Sequence, residues 1–280
     1  MNKKYKSLYF LPLAFVMFAC GGEAEETSES APDDSVELIE DNDDTDLLAS
    51  TNMDPRTFGG DKNENQDFID EINLTEGQNS NNVGSYVGSF GKNMINISIF
   101  EMTDGKASGY SVCAGNFRKI LGTYSEDRAD AIHFVMEEPG DDKYDGSFDF
   151  ELITREEFIE GSWTPFNEGQ SSKEFQLSKR FYSYNASVGK YPQASQRELT
   201  ADDVNNLTED ELTEMRNEIY ARHGYSFKNK DWRYHFESLD WYMPTGVDIR
   251  EKLTDTEVIN IELIYEYESY FEEYYDDYGR

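Results

Sequence analysis

Between Gly84 and Leu177 the chain repeats one device, a short run rich in β-branched and aromatic residues followed by a turn, and nowhere do apolar residues recur at helical spacing. The clearest run is Met94-Ile95-Asn96-Ile97-Ser98-Ile99-Phe100, in which Asn96 and Ser98 alternate with three isoleucines, so one face is expected to be buried. Thr103-Asp104-Gly105-Lys106 supplies an Asp-Gly hairpin turn, and Ala107 to Cys113 reads as the returning strand. Further strands are expected at Ser85–Phe90, Arg118–Tyr124, Ile132–Met136, Ser147–Ile153, Phe158–Trp163 and Glu174–Leu177. Such a series predicts an antiparallel barrel or sandwich over residues 83–191. The barrel is preferred, because closure leaves no exposed edge strands.

Within this region no residues propose a reaction. Asp141-Asp142-Lys143-Tyr144-Asp145-Gly146 begins like a calcium loop, but Lys143 stands at its third position and Leu152 where a bidentate Glu is required. It reads as a hairpin turn. His133 lies in a strand with no second His or Cys at ligand spacing, so it is read as structural. The pattern is similar to small lipocalin-like barrels, which either enclose one small ligand or fill themselves with side chains.

After Leu199 the signals become helical. Thr208 to Glu211 forms a capping box, Leu212, Met215 and Ile219 give one apolar face, and Gly224 is placed to end the helix with Tyr225 folded back over Tyr220. Asn229 or Asp231 can cap a second helix through Phe236. Thr254 to Glu257 makes another capping box, with Leu253 and Val258 as its staple, opening a long third helix that frays after Tyr270. The fold expected is α+β, with residues 197–271 as a small helical domain and 272–280 as an acidic, tyrosine-rich tail.

The residues Arg216-Asn217-Glu218-Ile219-Tyr220-Ala221-Arg222-His223-Gly224-Tyr225, with Phe227, Tyr234, Phe236 and Trp241-Tyr242, resemble the YARHG domain. The resemblance implies a small extracellular module of bacterial envelope proteins and brings no established reaction. Tyr220, Gly224, Tyr225, Phe227 and Trp241 are explained as cap and core. Arg216, Asn217, Arg222 and His223 are harder to place in a core, since buried charge needs a partner, which Glu218 or an acid of the third helix can supply. If the domain holds a ligand or partner site, these four form it, with Arg222 and His223 as donors to an anionic or sugar ligand.

The N-terminus sets an address. Lys3, Lys4 and Lys6 precede an apolar stretch from Leu8 to Phe18, about half the length needed to span a bilayer. Met17-Phe18-Ala19-Cys20 resembles a lipobox, although Phe18 departs from the small residue usual there. The resemblance implies a signal peptide over residues 1–19 and an acylated Cys20 as lipid attachment site, hence membrane placement through that lipid. Glu23, Glu25 and Glu26 resemble the export signal of surface-displayed lipoproteins, which points to the outer membrane. Residues 20–82 read as a disordered acidic tether, since residues 21–80 hold 19 acids against Arg56 and Lys62.

A net charge of −33 repels nucleic acid and suits a basic protein surface or a cell-wall component. With Cys20 lipidated, Cys113 has no disulfide partner. Gly-x-Ser-x-Gly, His-Glu-x-x-His and a phosphate-cradling loop are all absent. The reading is therefore a lipid-anchored, non-catalytic binding or interaction protein, with no cofactor, metal or catalytic residue assigned. The alternatives are a small-ligand carrier using the barrel interior and a cell-surface hydrolase.

Overall fold

Period-two alternation does set the architecture of the first half. In the computed structural model, which describes residues 82–140, 144–167 and 169–275, eight antiparallel strands close into a barrel in the order β1 to β8. They are β1 Gly84–Phe90, β2 Asn93–Thr103, β3 Lys106–Cys113, β4 Asn116–Ser125, β5 Ala131–Glu137, β6 Gly146–Ile153, β7 Phe158–Pro165 and β8 Lys173–Arg180. The leader, Cys20, nearly all of the acidic tether, Asp141 to Lys143 of the calcium-like loop and the end of the tail lie outside the described residues. The described residues fall within one compact unit, Glu40–Arg280.

The barrel interior is built from the inward halves of the strands. Phe134 and Phe150, paired across β5 and β6, stack at 5.0 Å between ring centroids, and Phe150 lies 6.2 Å from Phe175. Between the last two stands Gly161 of β7, paired with both; having no side chain, it lets the rings of its neighbours meet above it. Phe90, Phe148 and Trp163 extend the aromatic layer, with Phe90 and Trp163 edge to face at 5.9 Å. Ile95, Ile97, Ile99, Ile120 and Leu177 complete one core.

A polar cluster closes one end of that core. Glu138 is buried and accepts hydrogen bonds from Ser111 Oγ (3.1 Å), Gly146 N (2.9 Å) and Trp163 Nε1 (3.2 Å). Beside it Arg118 Nε donates to Asp145 Oδ1 at 2.8 Å. Burial pushes the Glu138 carboxyl above its ordinary value despite these donors.

The helical half contains α1 Gln193–Gln196, α2 Ala201–Val204, α3 Glu209–Arg222, α4 Lys230–Glu237 and α5 Asp255–Tyr275, with a 3-10 turn at Arg250–Lys252. Thr208 and Glu211 make the expected capping box at α3. Gly224, at φ +76°, ends that helix: Tyr225 N donates to Tyr220 O (3.2 Å), Gly224 N to Ala221 O (2.9 Å), and the Tyr220 and Tyr225 rings meet at 6.2 Å. Asn229 caps α4 by accepting from Asp231 N and Trp232 N. The helix α5 continues through Tyr275 rather than fraying after Tyr270. Buried residues of α3 and α5, with Phe227, Phe236 and Tyr242, make a second core. The strands end at Arg180, and Tyr191 and Ala194 already pack in this helical core.

The two halves dock along the outer face of β2 and β3. Asn96 and Ser98, on the face opposite the three isoleucines, are buried there as well, so this strand is covered on both faces. Asn96 Nδ2 donates to Pro244 O (2.8 Å), and Ser98 Oγ to Asn96 Oδ1 (3.0 Å). Arg233 Nε meets Asn93 Oδ1 (3.1 Å), Gly115 N meets Ser226 Oγ (3.0 Å), and Tyr110, Val112 and Phe117 pack with Val247. Polar residues on a strand thus mark a hydrogen-bonded junction, satisfied as buried polar groups must be.

Candidate functional site

The four residues singled out in the helical domain occupy one stretch of α3 and its end, all buried: Arg216 and His223 are 4% exposed, Asn217 6% and Arg222 2%. The helix brings Arg222 over Glu218 one turn earlier, with Nη2 to Oε2 at 2.7 Å. Glu218 also accepts from two successive backbone amides, Lys190 N (2.6 Å) and Tyr191 N (2.8 Å). Arg222 also donates from Nε to Val188 O (3.0 Å) and from Nη1 to Ser195 Oγ (3.1 Å). Every carboxylate and guanidinium group here has partners within the chain.

His223 lies beside this pair and reaches α5. Its Nε2 is 2.7 Å from Glu257 Oε2, and the Tyr184 ring stacks on the imidazole at 4.6 Å. Glu257 accepts in addition from Ser195 Oγ (2.7 Å), Tyr184 OH (3.0 Å) and Thr254 N (2.9 Å), the last completing the α5 capping box. Burial raises the Glu257 carboxyl, but His223 and these donors outweigh it and hold the group below its ordinary value.

Arg216 and Asn217 stand apart from that network. Arg216 Nε and Nη2 hold Glu268 of α5 at 3.0 and 3.2 Å, Nη1 reaches Asn217 Oδ1 at 3.3 Å, and the guanidinium lies 4.8 Å from the Tyr265 ring centroid. So the partners foreseen for these charges are Glu218 and two acids of the last helix. The structure brings Arg222 and His223 together through Ser195 and Glu257, and leaves Arg216 and Asn217 on a separate pair. Ser195, Tyr184 and the segment from Val188 to Tyr191 carried no signal of their own in the sequence, because their roles arise from position across the helix ends.

Ser195, His223 and Glu257 are the residue types of an acyl-transfer triad, yet their order is different. The serine hydroxyl donates to the glutamate and not to the histidine, so the Ser–His pairing of such a triad is not formed. Among the described residues no group of three or more His, Cys, Asp or Glu is placed to hold a metal ion.

An open groove of about 710 Å³ crosses the outer face of β5 to β8, lined by His133, Asp149, Glu151, Glu160, Glu174 and Gln176. His133 Nε2 lies 2.7 Å from Asp149 Oδ1, and Arg128 Nη1 holds both oxygens of Glu151 at 2.8 and 2.7 Å. Four carboxylates face one concavity. Each is an outward residue of its strand, and alternation alone exposes them; only the strand register gathers them.

Among the described residues no helix is long and apolar enough to cross a membrane. No curated protein and no solved structure matches the chain. The helical half does have a family: residues 190–269 match the YARHG domain.

Proposed function

We propose that this chain is a lipid-anchored envelope protein that acts without catalysis, presenting the acidic outer face of its barrel to a basic protein surface. Cys20, acylated after cleavage behind Ala19, is the anchor, and the acidic stretch 20–82 holds the folded part away from the membrane, which is the outer one. The observation that carries the reading is the occupancy of both interiors. The rings of Phe134, Phe150 and Phe175 pack against one another in the barrel core, where a carrier would hold its ligand. The YARHG polar residues are engaged with Glu218, Glu257 and Glu268, which supports a structural role for them. Recognition is then left to the exterior, where the groove offers Glu160 and Glu174 to lysine and arginine side chains, beside the solvent-exposed Arg128–Glu151 and His133–Asp149 pairs that a basic partner can exchange.

Two measurements test this. The full chain should bind a fluorescent lysine oligomer, more weakly as salt rises, and Glu151→Gln, Glu160→Gln and Glu174→Gln together should remove most of that binding. Undiminished binding in the triple variant would exclude the groove. Cys20→Ser should move the protein from the membrane fraction to the soluble one, and unchanged partitioning would exclude the anchor.

A further inference from the structure

The helical domain takes part of its polar network from residues that precede it. Residues 181–190 run from the end of β8 toward α1 without helix or strand, and each of them is exposed or half-buried, Phe181 at its start being 82% exposed. What this linker covers is buried: Glu218, Arg222, His223 and Glu257. Tyr182 OH donates to Arg222 O (2.8 Å), while the Tyr184 ring lies on the His223 imidazole at 4.6 Å and its hydroxyl donates to Glu257 Oε1 (3.0 Å). Val188 O accepts from Arg222 Nε (3.0 Å), and Lys190 N donates to Glu218 Oε1 (2.6 Å). Tyr182, Tyr184 and Val188 lie outside the matched residues 190–269.

Arg222 and Glu218 thus hold the backbone of the linker, one carbonyl and one amide, and side-chain selection falls to the two tyrosines. Extended peptides are bound in this way, main-chain hydrogen bonds giving affinity and side-chain contacts specificity. Gly189 completes the pattern, since at φ +92° a methyl group there would lie 2.6 Å from Glu218 Oε2. Release of the linker does not strand the groups beneath it: Arg222 keeps Glu218 (2.7 Å) and Ser195 (3.1 Å), and His223 keeps Glu257 (2.7 Å). The ends stay fixed, by Arg180 Nη2 on Asp240 O (2.8 Å) and by Tyr191 in the helical core. Solvent-exposed contacts of Ser187 with Gln196 (3.0 Å) and of Lys190 Nζ with Glu214 (2.8 Å) add little to the hold. A segment held by separate polar contacts, with no residue of its own buried, opens at lower free energy than the core around it.

We propose that Glu218, Arg222, His223 and Glu257 form a peptide-binding site, closed in this chain by its own linker, and that an extended segment of another protein with the pattern Tyr-x-Tyr followed after four residues by a glycine displaces that linker. Closed, these residues hold the helical domain to the chain that enters it. Open, they bind the same chemistry from a partner. The site shares no residue with the acidic groove on β5 to β8, so each reading stands without the other.

Two experiments on the full chain decide it. In amide hydrogen exchange of the natural protein, Lys190 should be on the order of a hundredfold less protected than Ile219 of α3, because the linker opens while the helix stays formed. Equal protection would mean that the linker leaves only when the domain unfolds, and would overturn the proposal. The variant Tyr184→Ala/Gly189→Ala unseats the linker and leaves the four receiving residues in place. A fluorescent peptide of residues 181–190 should bind this variant on the order of tenfold or more tighter than the natural chain, whose site is open in only a small fraction of molecules. The same peptide carrying Gly189→Ala should bind neither. Loss of peptide binding to the variant, equal binding to both proteins, or equal binding of both peptides would overturn the proposal as well.

Discussion

Arg222 and Glu218 form a fully buried ion pair one helical turn apart, at 2.7 Å, and the carboxylate is held from the far side by the amides of Lys190 and Tyr191. The pair ties α3 to the chain segment that enters the helical domain. Removing one partner leaves an uncompensated buried charge, so Arg222→Met and Glu218→Gln should each destabilise the protein by about 3–5 kcal/mol. Urea unfolding of the single variants measures this. The double variant should lose less than the sum of the two, since no charge is left alone.

Gly189 approaches the same carboxylate. Its φ is +92°, and a methyl group there would lie 2.6 Å from Glu218 Oε2. Gly189→Ala combines a strained backbone with a steric clash against a group that cannot move without losing its amides. A loss of about 1–3 kcal/mol from the backbone alone is expected, and thermal unfolding would register it.

The His223 and Glu257 contact gives the helical domain an acid limb. Glu257 lies below its ordinary 4.5, with His223 the leading cause against burial, so its contribution is present above pH 4.5 and is lost as pH falls through the folded value. Chemical denaturation between pH 3 and 6 should show stability rising with pH. In His223→Ala the carboxyl loses its main partner and that rise should flatten.

In the barrel, Phe150 touches Phe134 and Phe175 at the centre of the aromatic layer. Phe150→Ala should cost about 3–5 kcal/mol through lost contact and a cavity that the closed sheet cannot collapse around. Calorimetric unfolding checks the magnitude.

The strands, the Asp-Gly turn and the helix caps were legible because each depends on residues close in sequence. Alternation at Ile95, Ile97 and Ile99, and the Thr208 and Thr254 boxes, encode local geometry that the tertiary structure keeps. The short helices α1 and α2 were not legible, since four residues carry too little period to register. Nor was the groove, whose acids come from three strands.

By itself the sequence determined the antiparallel strand series, the capped helices α3, α4 and α5, and the resemblance carried by Arg216 to Tyr225, and it left barrel or sandwich open, which the closed sheet resolves. Tertiary structure alone decided what those charges do. Whether Arg222 meets a ligand or Glu218, whether Asn96 faces water or Pro244, and whether four acids are scattered or gathered depends on how elements distant in sequence are packed. The physical reason is range: backbone preference acts over a few residues, whereas burial of charge is settled by whatever the fold places opposite it.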